Sequence, residues 1–216
     1  MSTDTAAQVF AGITNENEFY GHHYLAEVFK GDIRDRLNAW QAREDEAKEA
    51  AKASADAADT SWRSPQRMLA GAGGRWFRER EKLRHAQDAD TFAQHFAQLQ
   101  QPLLQAFGYA IEPSVLTLVD GHPIRVWQRL GPADRAPQLL VIPAAVHGHA
   151  EEDILDQPVD LSVYPGEPPR DAKDATWADW LSDAVFGADH PPRFVLLAGL
   201  DDWLLVDRYK WPNNRA

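Results

Sequence analysis

The chain has 216 residues, 44% of them hydrophobic, a net charge of -11 and no cysteine. Its length suffices for one good core, and eight tryptophans, nine phenylalanines and five tyrosines exclude a disordered composition. Without cysteine there are no disulfides, thiolate zinc sites, iron–sulfur clusters or cysteine nucleophiles, and the acidic balance argues against general polyanion binding by the whole surface. No apolar run approaches the roughly 20 residues of a membrane span. The N-terminus has neither the basic nor the apolar region of a signal peptide. A soluble, cytoplasmic protein is expected.

The first helix starts near Asn15, with Glu18 at capping-box spacing, and carries Phe19, Tyr20, Tyr24, Leu25, Val28 and Phe29. Gly31 is placed to end it and Asp32 to cap the next. That second helix runs from Ile33 to about Ala58; its apolar face (Ile33, Leu37, Trp40) fades into Ala, Glu and Lys, so its later half projects into solvent or leans on a partner. Ser64 and Pro65 begin a new element as cap and first helical residue. Gly71-Ala72-Gly73-Gly74 interrupts it as a flexible connection, and a short helix resumes from Arg75 to about Arg84. Asp90 caps the clearest helix, with Phe92, Phe96, Leu99, Leu103, Leu104 and Phe107 on one face and Gly108 at its end.

Beyond Gly108 the period changes. Ser114–Val119 and Ile124–Trp127 read as strands around an Asp120–Pro123 turn. Gln138–Pro143 is a third, more buried strand. Residues 148–175 are acidic and Pro-rich and read as loop. Trp177–Phe186 is a short helix, and Arg193–Ala198 with Trp203–Asp207 forms a second hairpin. The class is α+β: N-terminal helices followed by a mixed or antiparallel sheet with hairpins. The organisation is a helical region over residues 1–88, with its long projecting helix, and an α/β region over 89–216 that is expected to form one compact unit with the first helix.

The most informative chemistry is a basic island. Arg63, Arg67, Arg75, Arg78, Arg80, Lys82 and Arg84 stand against only Glu79 and Glu81 between Trp62 and His85. Six of the seven are arginine, the side chain suited to bidentate phosphate contact, and Trp62, Trp76 and Phe77 are interleaved. A nucleic-acid interface is one expectation. The other is an arginine-rich helix paired with the acidic helix before it or the acidic loop after it. Glu18 and His22, four apart and close to His23, share a helix face, but no third metal ligand is evident nearby. The glycine run lacks the Lys-Ser/Thr of a P-loop. A helix, a strand reaching an acid, a return strand and a buried third strand form the skeleton of PD-(D/E)xK nucleases, with Asp120 at the metal position. The third strand, Val141-Ile142-Pro143-Ala144-Ala145, lacks the carboxylate and lysine that would complete it, and the alternative is an ordinary Asp-Gly hairpin turn. His147 and His149 beside Glu151, Glu152 and Asp153 read as solvated loop. No catalytic residue and no metal ligand is assigned.

The segment Ile13–Phe29, with Thr14-Asn15-Glu16-Asn17-Glu18-Phe19-Tyr20-Gly21-His22-His23-Tyr24-Leu25, resembles the opening of type IIG restriction–modification adenine-specific DNA methyltransferases, and especially the methylase of DISARM phage-defence systems. Leu103–Tyr109 and Val195–Trp211 add weaker similarity. The resemblance implies the N-terminal, nuclease-like, non-catalytic domain of a defence-system adenine-N6 DNA methyltransferase. It would position the methylase on double-stranded DNA or on sister defence subunits. The glycine-rich S-adenosylmethionine motif and the Asn-Pro-Pro-Tyr/Phe motif of such methylases do not occur here. S-adenosylmethionine, and magnesium, are therefore expected only of a full-length relative, with no cofactor in this chain. The other reading is a protein-interaction module of a defence complex without nucleic-acid contact, favoured by the acidic chain, the long Ala/Glu/Lys helix and exposed tryptophans.

Overall fold

The computed structural model describes residues 20–53, 62–86, 88–117, 121–146 and 153–211. Asn15, Glu18, Asp120, His147, His149, Glu151 and Glu152 lie outside the described residues. The chain divides into two compact units, Met1–Met68 and Leu69–Ala216.

In the first unit a π-helical turn, Tyr24–Val28, runs directly into α1, Phe29–Ala53. Gly31 does not end a helix and Asp32 does not begin one. Glycine stops a helix when it takes a left-handed conformation; Gly31 keeps ordinary helical geometry, and the Asp32 carboxylate instead accepts from the Tyr24 hydroxyl at 3.0 Å. Tyr20, Tyr24 and Phe29 stack on one another at 5.6–6.4 Å. Among the described residues of this unit only Leu25, Glu44 and Ser64 are buried, so α1 offers little apolar stripe to bury.

Helix α2, Pro65–Arg84, starts where the sequence indicates: the Ser64 hydroxyl accepts from the Arg67 N–H at 3.4 Å. The Gly71–Gly74 run, expected as a break, is helical throughout. None of its glycines has positive φ, and α2 is one continuous rod of 20 residues. Helix α3, Ala89–Ala106, is capped by Asp88, not Asp90; the Asp88 carboxylate accepts from the Thr91 N–H at 2.7 Å. Gly108, at φ +84°, ends it as the sequence predicts.

Two sheets follow. Strands β1, Ser114–Thr117, and β2, Pro123–Val126, form an antiparallel hairpin with Ser114 opposite Val126. A second sheet has the order β3-β4-β5-β6, from Gln128–Leu130, Leu139–Pro143, Phe194–Ala198 and Trp203–Asp207. β3 had no counterpart in the sequence reading. Trp127, between β2 and β3, donates its N–H to the Val141 carbonyl at 2.9 Å. The chain thus passes from pairing with β1 to pairing with β4 without a turn. β3/β4 and β5/β6 are antiparallel, while β4/β5 is parallel, with Val141 opposite Leu196. The sheet is mixed.

The pleat sorts the strand residues into two cores. Leu139, Val141, Leu196 and Ala198 face Leu83 of α2 and Phe92, Phe96, Leu99 and Leu104 of α3. Leu140, Ile142, Val195 and Leu197 face α4, Trp177–Trp180, and the π-helical turn Leu181–Val185 that continues it. The acidic segment expected as loop joins this second core. Ile154, Val159, Val163, Tyr164 and Ala172 are buried there, and short 3-10 turns at Leu161–Val163 and Arg170–Lys173 carry two of them. Its carboxylates point outward while every few residues an apolar side chain turns in. Of the eight tryptophans, Trp127, Trp177 and Trp180 are buried and the other five half-buried, which corrects the expectation of exposed tryptophans. The indole N–H groups of Trp177 and Trp180 reach the Ala144 carbonyl (3.1 Å) and the Tyr164 hydroxyl (2.7 Å). Phe107 stands 53% exposed beside Trp203, not in the helix-facing core.

Candidate nucleic-acid interface

The basic island is divided between the two units, with Arg63 and Arg67 in the first and the other five residues in the second. In the first unit Arg67 pairs with Glu44 at 3.2 Å. Glu44 is almost fully buried and also accepts from the Ser64 N–H at 2.7 Å. These contacts hold its carboxyl below the usual range: the Ser64 backbone N–H contributes most, then the Ser64 hydroxyl, then Arg67 and Lys48. Arg63 is exposed and has no carboxylate partner among the described residues.

In the second unit α2 divides its cations between two faces. Arg80 and Arg84, one turn apart, both reach Asp201 in the β5–β6 turn; Arg80 does so at 3.1 Å. The Arg80 guanidinium also lies 5.2 Å from the Trp76 ring centroid. These two arginines, each about three-quarters buried, serve the fold. Arg75, Arg78 and Lys82 stand at i, i+3 and i+7, which places them on one helix face, and all three are exposed. Lys82 bonds Glu79 at 2.9 Å. Arg75 and Arg78 have no carboxylate partner among the described residues. Their field registers on Glu79, whose carboxyl is lowered first by the Lys82 hydrogen bond and further by the charges of Lys82, Arg75 and Arg78.

A groove of about 850 Å³ runs between α2 and α3. Arg75, Trp76 and Lys82 line one wall, His95, Gln98 and Gln101 the other, and Leu83 and Leu99 its floor. A smaller cavity of about 450 Å³ lies beside the β1–β2 hairpin. Its Arg129 is engaged by the carbonyls of Gly131, Pro132 and Arg135 at 2.6–3.0 Å.

A second cation–aromatic patch was not legible in the sequence. The exposed Tyr209 ring has Arg193 at 4.1 Å and Arg208 at 4.7 Å, and Arg193 is held by Asp207 at 2.8 Å. The strand register brings Arg193 beside Arg208; their sequence separation conceals it.

His22 and His23 are exposed, and Glu18 lies outside the described residues. Among the described residues there is no group of three or more His, Asp or Glu that could hold a metal. Asp120 lies outside them as well. β4 presents only aliphatic side chains and a proline, so the described residues do not fit the divalent cation of a PD-(D/E)xK site.

Fold and surface together define a mixed-sheet α+β protein with a cationic helix face. No protein family model, no curated protein and no solved structure matches the chain. No described helix is long and apolar enough to cross a membrane.

Proposed function

We propose that this chain is the N-terminal, nuclease-like and non-catalytic domain of a phage-defence adenine-N6 DNA methyltransferase, and that it docks the methylase on double-stranded DNA. The observation that carries the DNA contact is the exposed Arg75, Arg78 and Lys82 face of α2, set apart from the two arginines committed to Asp201. The strand arrangement supports the nuclease-like part. β1, the continuous β2–β3 segment, β4, β5 and β6 lie in chain order, with the second and the last antiparallel to the other three. With α3 before the strands and α4 between β4 and β5, the helix, strand, return strand and buried third strand expected of a nuclease-like skeleton follow one another in the chain, though in two sheets. The aliphatic β4 supports a holding role over a cutting one. The resemblance of Ile13–Phe29 supplies the methylase context, with double-stranded DNA, the methylase domain and other defence subunits as partners and a cytoplasmic location.

Phosphate contacts release counterions, so binding weakens with salt. Duplex binding measured over a salt series is expected to lose about 0.9 of log–log slope for each phosphate contact removed when Arg75, Arg78 and Lys82 are changed to Gln. Arg80→Gln with Arg84→Gln is expected to lower thermal stability and leave the slope in place. An unchanged slope in the triple variant, or no binding by the parent, removes the DNA role.

The second reading is an interaction module of a defence complex without nucleic-acid contact. It is favoured by the Tyr20, Tyr24 and Phe29 stack at the head of an α1 with little buried surface. Co-purification with sister subunits by a protein that ignores duplex DNA would establish it.

A further inference from the structure

Beside the outer face of α2 runs the groove itself. Its walls, residues 71–84 of α2 and 91–105 of α3, extend for roughly 20 Å of helix, long enough for an extended strand to lie along it.

The chemistry of the walls narrows the choice of strand. Arg75 and Lys82 edge the groove on the α2 side, where Lys82 pairs with Glu79, the one acidic residue of the lining. The unpaired charge at the rim is that of Arg75, and it favours an anionic chain. Its floor, Leu83 and Leu99, is apolar. Trp76 adds an aromatic ring, and its indole N–H is buried without a hydrogen-bond partner among the described residues. On the α3 wall His95, Gln98 and Gln101 are exposed. Each glutamine amide offers both a donor and an acceptor, which matches the edge of an unpaired base. A cationic rim, an aromatic ring and amide edges are the parts with which proteins hold single strands. Arg75 and Lys82 belong to the groove rim and to the outer cationic face alike, so one polyanion can contact both.

We propose that the α2–α3 groove holds a single-stranded polynucleotide segment, its phosphates on Arg75 and Lys82 and its bases against Trp76, Gln98 and Gln101. The assignment rests on the reading of α2 as a nucleic-acid contact and adds to it a preference for unpaired DNA.

The test uses residues outside the basic island. Anisotropy of a labelled thymidine dodecamer and of a labelled duplex is measured for the parent, for Gln98→Glu with Gln101→Glu, and for the milder Gln98→Ala with Gln101→Ala. All these positions are exposed on α3, and far-UV circular dichroism checks the fold. The carboxylate pair is expected to weaken the single strand about tenfold or more, by repulsion of its phosphates, and the alanine pair less, while duplex affinity stays the same. Unchanged single-strand binding in the carboxylate pair overturns the proposal, as does equal loss for strand and duplex. Displacement of the dodecamer by an oligoglutamate peptide at equal charge also overturns it, in favour of an acidic peptide groove. A parent that binds the duplex but no single strand refutes the groove and leaves the docking role standing; a parent that binds neither refutes both.

Discussion

Glu44 lies in the most polar stretch of α1, among Arg43, Asp45, Glu46 and Lys48, yet it is the buried carboxylate of that stretch. It receives the Ser64 N–H and Arg67, so it ties α1 to the first turn of α2. A carboxyl with a depressed folded-state pKa contributes stability above its unfolded value and loses that contribution as pH falls through the folded one. Glu44→Gln is therefore expected to lower the melting temperature at pH 7. The gap from the parent should close as pH falls below about 4.3, the ordinary glutamate value. Melting curves between neutral pH and pH 3 check this, and a gap of constant size would reject the ionic account. Asp201 plays the matching part in the second unit, one carboxylate for two arginines. A charge count along α2 cannot distinguish Arg84 from Arg78; the carboxylate that separates them lies more than a hundred residues away.

At the scale of elements, α2 is where sequence and structure part most clearly. Three glycines in four residues favour a break, since each costs up to about 1 kcal/mol in a helix relative to alanine. The rod persists because its ends are anchored: Ser64 caps one, and Leu83, Arg80 and Arg84 pack or pair at the other. A Cβ added at Gly73 or Gly74 meets nothing within 4 Å. Gly73→Ala and Gly74→Ala are thus each expected to stabilise the protein by about 0.5–1 kcal/mol. Urea unfolding measures it, and a loss of stability would show that the segment needs glycine. Helix α3 is legible in the sequence, because Phe92, Phe96, Leu99 and Leu104 repeat at helical spacing and all four are buried. Its cap lies two residues before the expected Asp90, since Asp88 and Asp90 are alike in sequence and it is Asp88 that reaches the Thr91 N–H.

At the scale of the whole second unit, one sheet serves two cores. Leu197 is fully buried on the α4 side, and Leu196 is nearly so on the α3 side. Truncating Leu197 to alanine is expected to cost about 2–5 kcal/mol through lost burial and a cavity. Because β5 lies between both cores, the loss should appear as a single shifted transition in tryptophan fluorescence and far-UV dichroism alike. Two separated transitions would mean that the cores unfold independently.

The sequence by itself determined the α+β class, α3, the hairpins and the buried third strand, because apolar spacing is a local property that survives any placement of the elements. It also located the basic island. Only the tertiary structure decided which of those cations are available: chain folding brings Asp201 to Arg80 and Arg84 and withdraws both from the surface, and brings Glu44 to Arg67, which stays exposed but paired. It likewise decided that the acidic segment after residue 152 is part of the core, and that the strand reaching β4 bends at Trp127 to join two sheets. Each of these depends on contacts between residues far apart in the chain, which no local pattern encodes.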